Sequence, residues 1–371
     1  MAVWNWFRAA PSRAYTAVAV LLVAMFMTTT TLARYYHEEQ HARAQDHFAR
    51  GSTLVDAGNL DQGIVQLRAA LLLDRGNADY ALILATALLD AGHPREAETY
   101  LDDAIREDPT SGPANLVRAR VARALGDAET DVYYQRSYFG SWPADARDQR
   151  LAVGFELVEY LLALDARERA HAVLAQLAAE TGRDPDLDLR VGRLFLDANG
   201  AADAIPLLMD ATEQRPDDAA AWSALAEAQF EEFNDTAAAR AAARAVALDP
   251  RDMTAARIAD VARSSVGLDP SQPRLRATER TRRARQLVEL SRAAYEACVP
   301  APAGDAPPDP LVDEAARALN RRTRPAPDND ELVELATRLW DARTARCPDV
   351  DPDVEALQRV LSRLAGREPV S

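Results

Sequence analysis

A pattern of about 35 residues recurs along the chain and constrains its fold more than any other feature of the sequence. In residues 78–111, two apolar series at helical spacing flank a Gly/Pro turn, and Pro109 ends the second series. The same arrangement returns at residues 219–252, where Pro250 stands in the corresponding place. The separation of the two prolines is close to four periods of the pattern. The repeat predicts an all-α chain built from stacked pairs of short helices.

The period and the residue types resemble those of the tetratricopeptide repeat (TPR). That family places Trp or Leu, Leu, Gly or Ala, and Tyr on the first helix, and Ala, an aromatic residue or Leu, Ala and Pro on the second. The resemblance covers a little over half of the chain and places repeats at 44–77, 78–111, 112–145, 151–184, 185–218 and 219–252. Characteristic matches are Gly51, Leu67 and Ala70 in the first repeat and Gly192, Ala204, Leu208, Ala211 and Pro216 in the fifth. The third repeat departs from the pattern at Asp131 and Gln135, and the fourth is the weakest. The resemblance implies a TPR-type α-solenoid of about six helix pairs, which is an architecture and not a reaction.

The rest of the sequence divides the chain further. The expected parts are a short N-terminal tail at 1–14, a transmembrane anchor at 15–36, a juxtamembrane helix at 37–50, the solenoid with a capping helix at 44–265, a linker at 266–275, and a helical C-terminal region at 276–371 with a Pro-rich spacer at 299–310. Short helices are expected in the C-terminal region near 311–321, 330–346 and 353–365. Trp340 is their expected apolar anchor, and the tail from Gly366 onward is expected to be disordered.

Charge and composition disfavour several classes of function. The net charge of −15 argues against nucleic-acid binding, because contact with phosphates requires a basic surface. The chain contains no lysine, so it has no phosphate loop of the Gly-Lys-Ser/Thr type and no Schiff-base lysine. The sequence therefore predicts no cofactor and no small-molecule substrate.

Residues 15–33 form a charge-free, mainly apolar run that is long enough to span a membrane. Aromatic residues that fit the two membrane interfaces flank the run, at Trp4, Trp6, Phe7, Tyr35 and Tyr36. The preferred interpretation is an uncleaved anchor, and the alternatives are a signal sequence cleaved near Ala33 and a soluble helix.

The orientation of the anchor rests on the length of its two flanks. The flanking arginines are nearly balanced in number, so the positive-inside rule alone does not decide. A short tail before a long domain favours placing residues 37–371 outside the cytoplasm. The lysine-free composition indicates a GC-rich bacterial genome. The predicted location is therefore the bacterial inner membrane, single-pass, with the repeats in the periplasm.

The two cysteines, Cys298 and Cys347, each close a predicted helix and each lie close before a proline. A disulfide between them would close a loop of about 50 residues and stabilise the C-terminal region by roughly 4 kcal/mol. Such a bond fits an oxidising compartment. The alternative is a pair of unbonded cysteines on small helices.

A zinc-protease motif occurs directly after the apolar run. Residues 37–41 match H-E-x-x-H, in which His37 and His41 would hold zinc and Glu38 would act as general base. The longer form of that motif needs a glycine where this chain has Ala44, so the helix is expected to continue and His47 to point to another face. The preferred interpretation is a solvated juxtamembrane helix. Incidental metal binding and a zinc peptidase are the weaker alternatives.

The TPR resemblance implies a groove lined by the first helices of the repeats. Six residues at groove positions are candidates for contacting an extended partner: Arg120, Arg123, Phe155, Glu159, Arg193 and Phe230. Arginine is suited to bidentate contact with acidic side chains of a partner. The family's carboxylate clamp of Lys and Asn is absent at Leu82 and Thr86. The alternative for each arginine is an ordinary solvated side chain.

The third repeat contains an aromatic cluster that is the second candidate surface. Its members are Tyr133, Tyr134, Tyr138, Phe139 and Trp142. Aromatic residues are frequent anchors at protein interfaces. The alternative, which the sequence favours, is that they fill the junction between repeats three and four, with some tyrosines exposed.

These features favour a membrane-tethered scaffold that binds other proteins of a bacterial envelope complex. The first alternative is a permanent structural subunit of a membrane complex, which would expose a large apolar patch in isolation. The second is a zinc peptidase that uses His37, Glu38 and His41.

Overall fold

The structure is a computed structural model that describes residues 11–299, 309–320, 327–347 and 354–366. Within these ranges the chain forms seventeen α-helices and no β-strand, apart from one isolated bridge between Ser111 and Ser141. The expected all-α fold is confirmed. Trp4, Trp6, Phe7, most of the Pro-rich spacer and the residues after Gly366 lie outside the described ranges. The chain divides into two compact units, Met1–Leu164 and Asp165–Ser371.

The first unit consists of one long helix followed by six short ones. Its helices are α1 (Pro11–Asp56), α2 (Leu60–Leu73), α3 (Ala78–Asp90), α4 (Pro94–Glu107), α5 (Gly112–Leu125), α6 (Thr130–Tyr138) and α7 (Arg147–Ala163). Each of these helices packs on the next.

The second unit contains the second helix of repeat four, the helix pairs of repeats five and six, a capping helix and the C-terminal region. Its helices are α8 (Arg167–Glu180), α9 (Pro185–Asp197), α10 (Ala201–Gln214), α11 (Ala219–Glu231), α12 (Asp235–Leu248), α13 (Met253–Leu268), α14 (Ala277–Cys298), α15 (Pro310–Leu319), α16 (Asn329–Thr344) and α17 (Glu355–Leu364). The capping helix α13 runs slightly past its expected end at 265, because no helix breaker occurs before Asp269-Pro270.

Helix starts coincide with the first residues of four expected repeats, at 78, 112, 185 and 219. The residue before each start caps its helix, because a side-chain oxygen accepts a hydrogen bond from a free backbone N–H of the first turn. The capping residues are Asn77, Ser111, Asp184 and Asp218. The sequence period therefore has a local cause in capping as well as in apolar spacing.

The two helices of a repeat approach each other closely where the first helix carries a small residue. A Cβ on Gly192 would lie 2.7 Å from Cγ of Leu208, and a Cβ on Gly51 would lie 2.8 Å from Cγ of Leu67. Each leucine belongs to the second helix of the same repeat as its glycine, and both leucines are fully buried. The glycines therefore set how near the paired helices can come.

The turn inside each repeat requires a residue in the left-handed backbone region. Gly58, Gly92 and Gly126 have φ values of 79°, 80° and 72°, and they occupy the same position in three successive repeats. In the second unit the corresponding residues are Asp165, Asn199 and Phe233, with φ values of 54°, 59° and 56°. Glycine takes this conformation without strain, asparagine and aspartate tolerate it, and a phenylalanine there is unusual.

The third repeat has a shortened second helix. Helix α6 has only nine residues, and the chain then forms an irregular segment in which Ser141 N donates to Thr110 O at 2.7 Å. The ring of Trp142 lies on Gly112, where a Cβ would come within 2.1 Å of Nε1. The polar residues Asp131 and Gln135 thus mark a real departure from the repeat geometry.

Helix α1 joins three parts that the sequence suggested separately. It runs without a break from Pro11 to Asp56 and so includes the apolar run, the juxtamembrane segment and the first helix of the first repeat. Within the described residues it is the one helix that is long and apolar enough to cross a membrane, and none of its apolar window is buried. Burial begins at Ala44, which is fully enclosed, and Phe48 stacks on Tyr80 at 4.5 Å between ring centroids.

The C-terminal region has a core of its own. Buried residues of all four helices α14 to α17 form it, including Leu287, Leu335 and Val360, and Trp340 belongs to it as expected. Cys298 and Cys347 are bonded at the ends of α14 and α16, with their Cα atoms 6.3 Å apart.

Replacing Gly192 by valine is expected to lower the free energy of unfolding by about 1–3 kcal/mol, because Leu208 must move to admit the larger side chain. Chemical denaturation of the full chain measures this. The matched control is Gly267→Val on α13, where a Cβ would meet nothing within 4 Å. Equal effects of the two substitutions would contradict the close-approach explanation.

Breaking the disulfide, by a reducing agent or in the Cys298→Ser, Cys347→Ser variant, is expected to destabilise the C-terminal region by about 4 kcal/mol, given the sequence separation of 49. Thermal unfolding with and without reductant measures the effect. The double serine variant is the control, since reductant should not change its curve. An unchanged curve for the native chain would show that the bond does not constrain this region.

Candidate partner-binding surfaces

Arg120 projects from α5 toward α7 and is engaged within its own unit. Its Nε and Nη2 donate to the two carboxylate oxygens of Glu156 at 3.1 and 2.5 Å. This bidentate bond to Glu156 raises the pKa of the Arg120 guanidinium above its ordinary value. The side chain remains about half exposed. The bidentate carboxylate contact expected with a partner is thus already made inside the fold.

The other groove candidates of the first unit divide between surface and core. Arg123 lies with its guanidinium 5.8 Å from the ring centroid of Tyr160, and Glu159 is exposed. Phe155 is buried among the helices. The prediction that Phe155 contacts a partner is wrong for this structure, because its ring points into the packed interior and not toward the face.

The aromatic cluster of the third repeat is mainly core. Tyr134 and Tyr138 are fully buried, so their assignment to a surface patch is wrong. The alternative that these aromatics fill the irregular end of repeat three fits their positions. Tyr133 is partly exposed under the guanidinium of Arg118, at 5.2 Å from its ring centroid.

Phe139 is the exposed member of this cluster. Its side chain is 66% exposed although the ring contacts Tyr138 edge to face at 4.9 Å. Trp142 is half-buried, since its Nε1 donates to Ser137 O at 2.8 Å. The apolar surface left for a partner here is the ring of Phe139 with the edges of Tyr133 and Trp142.

In the second unit, Arg193 is exposed, and its Nη2 lies 3.5 Å from Ala220 O. Phe230 is only 8% exposed. The prediction that the Phe230 ring is open to a partner is wrong, because a side chain from the C-terminal region covers it. That side chain is Arg359 of α17.

Arg359 is a buried charged residue of this site that the sequence reasoning missed. Its guanidinium lies 3.5 Å from the ring centroid of Phe230 and 4.4 Å from that of Phe233. It donates to Asp235 Oδ1 through Nε at 3.1 Å and Nη2 at 2.8 Å, and to Phe230 O at 2.6 Å. The Arg359 side chain is 10% exposed and the Asp235 side chain 1%. Burial lowers the pKa of Arg359 below its ordinary value, and the charge of Asp235 opposes that shift. Nothing in the apolar spacing of residues 353–365 marks this arginine, since its partners are distant along the chain.

A cavity of about 850 Å³ opens beside this arginine. Its lining contains the cations Arg167, Arg257 and Arg359. Each of them has a carboxylate partner: Asp165 for Arg167, Glu355 for Arg257 and Asp235 for Arg359. The cavity also contains three glutamates of one helix end, Glu227, Glu231 and Glu232. The wall formed by α11 is therefore acidic.

Two of these glutamates have perturbed acidity. Burial raises the pKa of Glu227, and the nearby charge of Asp197 adds to the shift. Burial also raises the pKa of Glu231, with a contribution from Glu227 one helical turn away. Ionising this wall therefore costs the folded chain some stability.

The protease motif lies along the exposed face of α1. His37 and Glu38 are exposed, while His41 Nδ1 lies 3.0 Å from Asp74 Oδ2. A ring nitrogen of His47 lies 2.7 Å from Gln66 Oε1. The helix continues through Ala44, as the missing glycine predicted. Within the described residues, no group of three His, Cys, Asp or Glu side chains is arranged to hold a metal ion.

Replacing Glu227 and Glu231 together by glutamine is expected to stabilise the chain at pH 7 by no more than about 1 kcal/mol, because solvent screens these partly exposed groups. A raised carboxyl pKa means that stability is present below the ordinary pKa and is lost as pH rises through the folded value. The gain should therefore largely vanish near pH 3.5, where Glu227 and Glu231 of the native chain are mostly neutral and as uncharged as the glutamines of the variant. Thermal unfolding at the two pH values measures it. Glu213→Gln on α10 is the control, and a gain that persists at low pH would contradict the electrostatic cause.

Comparison with known proteins identifies the helical pairs. Two segments of the chain, residues 54–129 and 189–256, match family models described as tetratricopeptide repeat. No curated protein sequence matches the chain.

Several solved structures are similar at low identity. YrrB, a TPR protein with an unusual peptide-binding site, has 16% identity and a TM-score of 0.41, over 51% of this chain and 95% of its own. PilF of Pseudomonas aeruginosa has 15% identity and a TM-score of 0.40, over 59% of this chain and 97% of its own. The C-terminal part of a TPR repeat-containing protein from Cytophaga hutchinsonii has 11% identity and a TM-score of 0.42, over 84% of this chain and 99% of its own. None of these likenesses bears on function.

The residue pattern and the observed helix pairs agree with the two family matches. Proteins with these repeats generally bind other proteins, and the repeats are typically non-enzymatic. Residues 54–129 and 189–256 therefore belong to the tetratricopeptide repeat family.

Proposed function

We propose that this chain is a membrane-tethered scaffold that holds proteins of a bacterial envelope complex against the inner membrane. The observation that carries the proposal is the two-part character of α1. Its N-terminal part is apolar and uncovered, with none of the apolar window buried, and its C-terminal part is the first helix of the repeats. An apolar helix surface of this length is stable where lipid covers it.

The polar groups in the apolar part are compatible with lipid. Four consecutive threonines occur there, and each hydroxyl bonds to a backbone carbonyl one turn earlier: Thr28 to Met25 O, Thr29 to Phe26 O, Thr30 to Met27 O and Thr31 to Met27 O, at 2.9 to 3.0 Å. A hydroxyl that is bonded within its own helix avoids the cost of an unsatisfied polar group in hydrocarbon. The threonines therefore do not argue against a membrane span.

The continuity of α1 would also set the height of the repeats above the membrane. From Tyr36, at the expected interface, to Ala44, where packing on the repeats begins, the helix rises about 12 Å. No flexible linker intervenes between these residues. A partner bound to the first unit would therefore be held within a short and nearly fixed distance of the lipid headgroups.

The proposed side of the membrane is the periplasm. The bond between Cys298 and Cys347 supports this orientation, since disulfides persist in oxidising compartments. The surfaces proposed for partner contact are those that the fold leaves exposed. They comprise Arg193 and Glu159 at groove positions, and Phe139 with the edge of Tyr133 on repeat three.

Replacing Leu22 and Phe26 by arginine is expected to release the chain from the membrane, because each charge near the centre of a span costs about 2.5–3.5 kcal/mol. The native chain should stay in the membrane pellet after alkaline extraction, and the variant should become soluble. Leu72→Arg is the matched control, since Leu72 is an exposed leucine of α2 in the repeats. A native chain that is extracted like the variant would contradict tethering.

Photo-crosslinking in the native membrane is expected to capture the same few envelope proteins from position 193 and from position 139. The chain lacks lysine, so amine-reactive crosslinkers would miss its surface and a photoreactive amino acid must be introduced. Position 106, an exposed arginine of α4, is the control. The scaffold proposal would be contradicted if positions 193 and 139 gave no specific crosslinked product, or if position 106 gave the same products.

A further inference from the structure

Polar side chains of α17 contact the last repeat and its capping helix α13. Arg257 of α13 donates to both carboxylate oxygens of Glu355 at 2.8 and 3.0 Å, and Arg363 donates to Asp269 at 2.5 Å. Arg359 makes the deepest contact, since it reaches the end of α11 and the start of α12.

Apolar packing across the same junction is incomplete. A cavity of about 530 Å³ lies between α13, α14 and α17, and Val261, Leu290 and Leu357 are among its lining residues. The core of the C-terminal region borders this cavity, since Leu357 belongs to both and Leu268 of α13 packs against the core. Within the region, α14 and α16 pack on each other and are fastened by the disulfide.

Phe233 gives an independent indication that this arginine contact is functional. Its φ of 56° places it in the left-handed region, at the turn position where the preceding repeats carry glycine, aspartate or asparagine. A phenylalanine there strains the backbone, and such strain persists where a side chain has another role. The ring centroid of Phe233 lies 4.4 Å from the Arg359 guanidinium, which also donates hydrogen bonds to Asp235 and to Phe230 O.

We propose that Phe230, Phe233 and Asp235 form an arginine-binding site on the last repeat, which the chain's own α17 fills with Arg359. Its ligand class is a guanidinium carried on a helix, held by stacking on the two rings and by hydrogen bonds to the carboxylate and to Phe230 O. The C-terminal region thereby covers a residue at a groove position of the last repeat. Its release would open the acidic wall of α11 to a partner.

This inference rests on the proposed scaffold function only for that last step. The filling of the site by Arg359 and the detachment of the C-terminal region concern the chain alone. They can be tested on the isolated full-length protein.

The test is hydrogen–deuterium exchange of the full-length chain and of its Arg359→Ala and Phe233→Gly variants. In both variants, exchange in α17 and at the end of α11 should rise at least tenfold. Exchange in α9, α10 and α16 should stay within about twofold of the native chain, because the hydrogen bonds and ring contacts of Arg359 go to α11, its end and the start of α12, and the disulfide joins α16 to α14. Arg317→Ala, an arginine of α15 in a surface pair with Asp313, is the matched control.

The two variants exclude different simple explanations. Arg359→Ala removes the hydrogen-bonded partner of the buried Asp235 and leaves only Arg363, at 3.9 Å, so a second form with Asp235→Ala as well removes that charge. Phe233→Gly restores the residue type of the earlier turns. If Phe233 only shaped the turn, this change would relieve strain and slow exchange.

Unchanged or slower exchange of α17 in either variant would overturn the proposal. A general rise in exchange across α9–α13 would also overturn it, because Arg359 would then be part of the repeat core.

Photo-crosslinking from position 231 separates this proposal from the proposed scaffold function. If the Arg359→Ala chain captures more partner than the native chain, the C-terminal region covers the acidic wall of α11 as proposed. Equal capture from both chains overturns that part of the proposal. No capture from either chain, together with faster exchange of α17, contradicts the scaffold and leaves the arginine site standing.

Discussion

The first and fifth repeats depend on the close approach of their two helices, which a glycine on the first helix allows. Gly51 and Gly192 lie against Leu67 and Leu208 so tightly that a methyl group would overlap the leucine side chain. The turn between the two helices adds a second constraint, since its last residue must adopt a left-handed backbone. Where both conditions recur from one repeat to the next, helix pairs stack, and each pair buries the apolar face of the one before it.

The repeat architecture could be predicted from the sequence because it is local and periodic. Caps, turns and apolar spacing all lie within one repeat, so the starts of α3, α5, α9 and α11 follow from the residues beside them. In the third repeat, a local change in the residue pattern likewise predicted a local change in structure. Its polar Asp131 and Gln135 indicated a departure, and the structure has a shortened helix there.

The candidate site was predictable only in part, because side-chain exposure depends on contacts between distant residues. Phe155 and Phe230 stand at groove positions by spacing, yet one ring points into the core and the other lies under Arg359. Arg359 itself could not be assigned a role, since Asp235 is 124 residues away along the chain. The one local signal of this site was Phe233, a phenylalanine at the turn position where the other repeats carry glycine, aspartate or asparagine. Aligning the turns of the repeats reveals this exception.

Membrane tethering gives the repeats their proposed role, and the lysine-free sequence allows a direct test of it. A single Arg106→Lys substitution on the exposed face of α4 would give the chain its only side-chain amine. The only other amine is the terminal amino group. In cells with a permeabilised outer membrane and an intact inner membrane, an impermeant amine reagent should label residue 106 and leave the terminal amine unlabelled. Labelling of residue 106 only after the inner membrane is broken would contradict the proposed periplasmic scaffold.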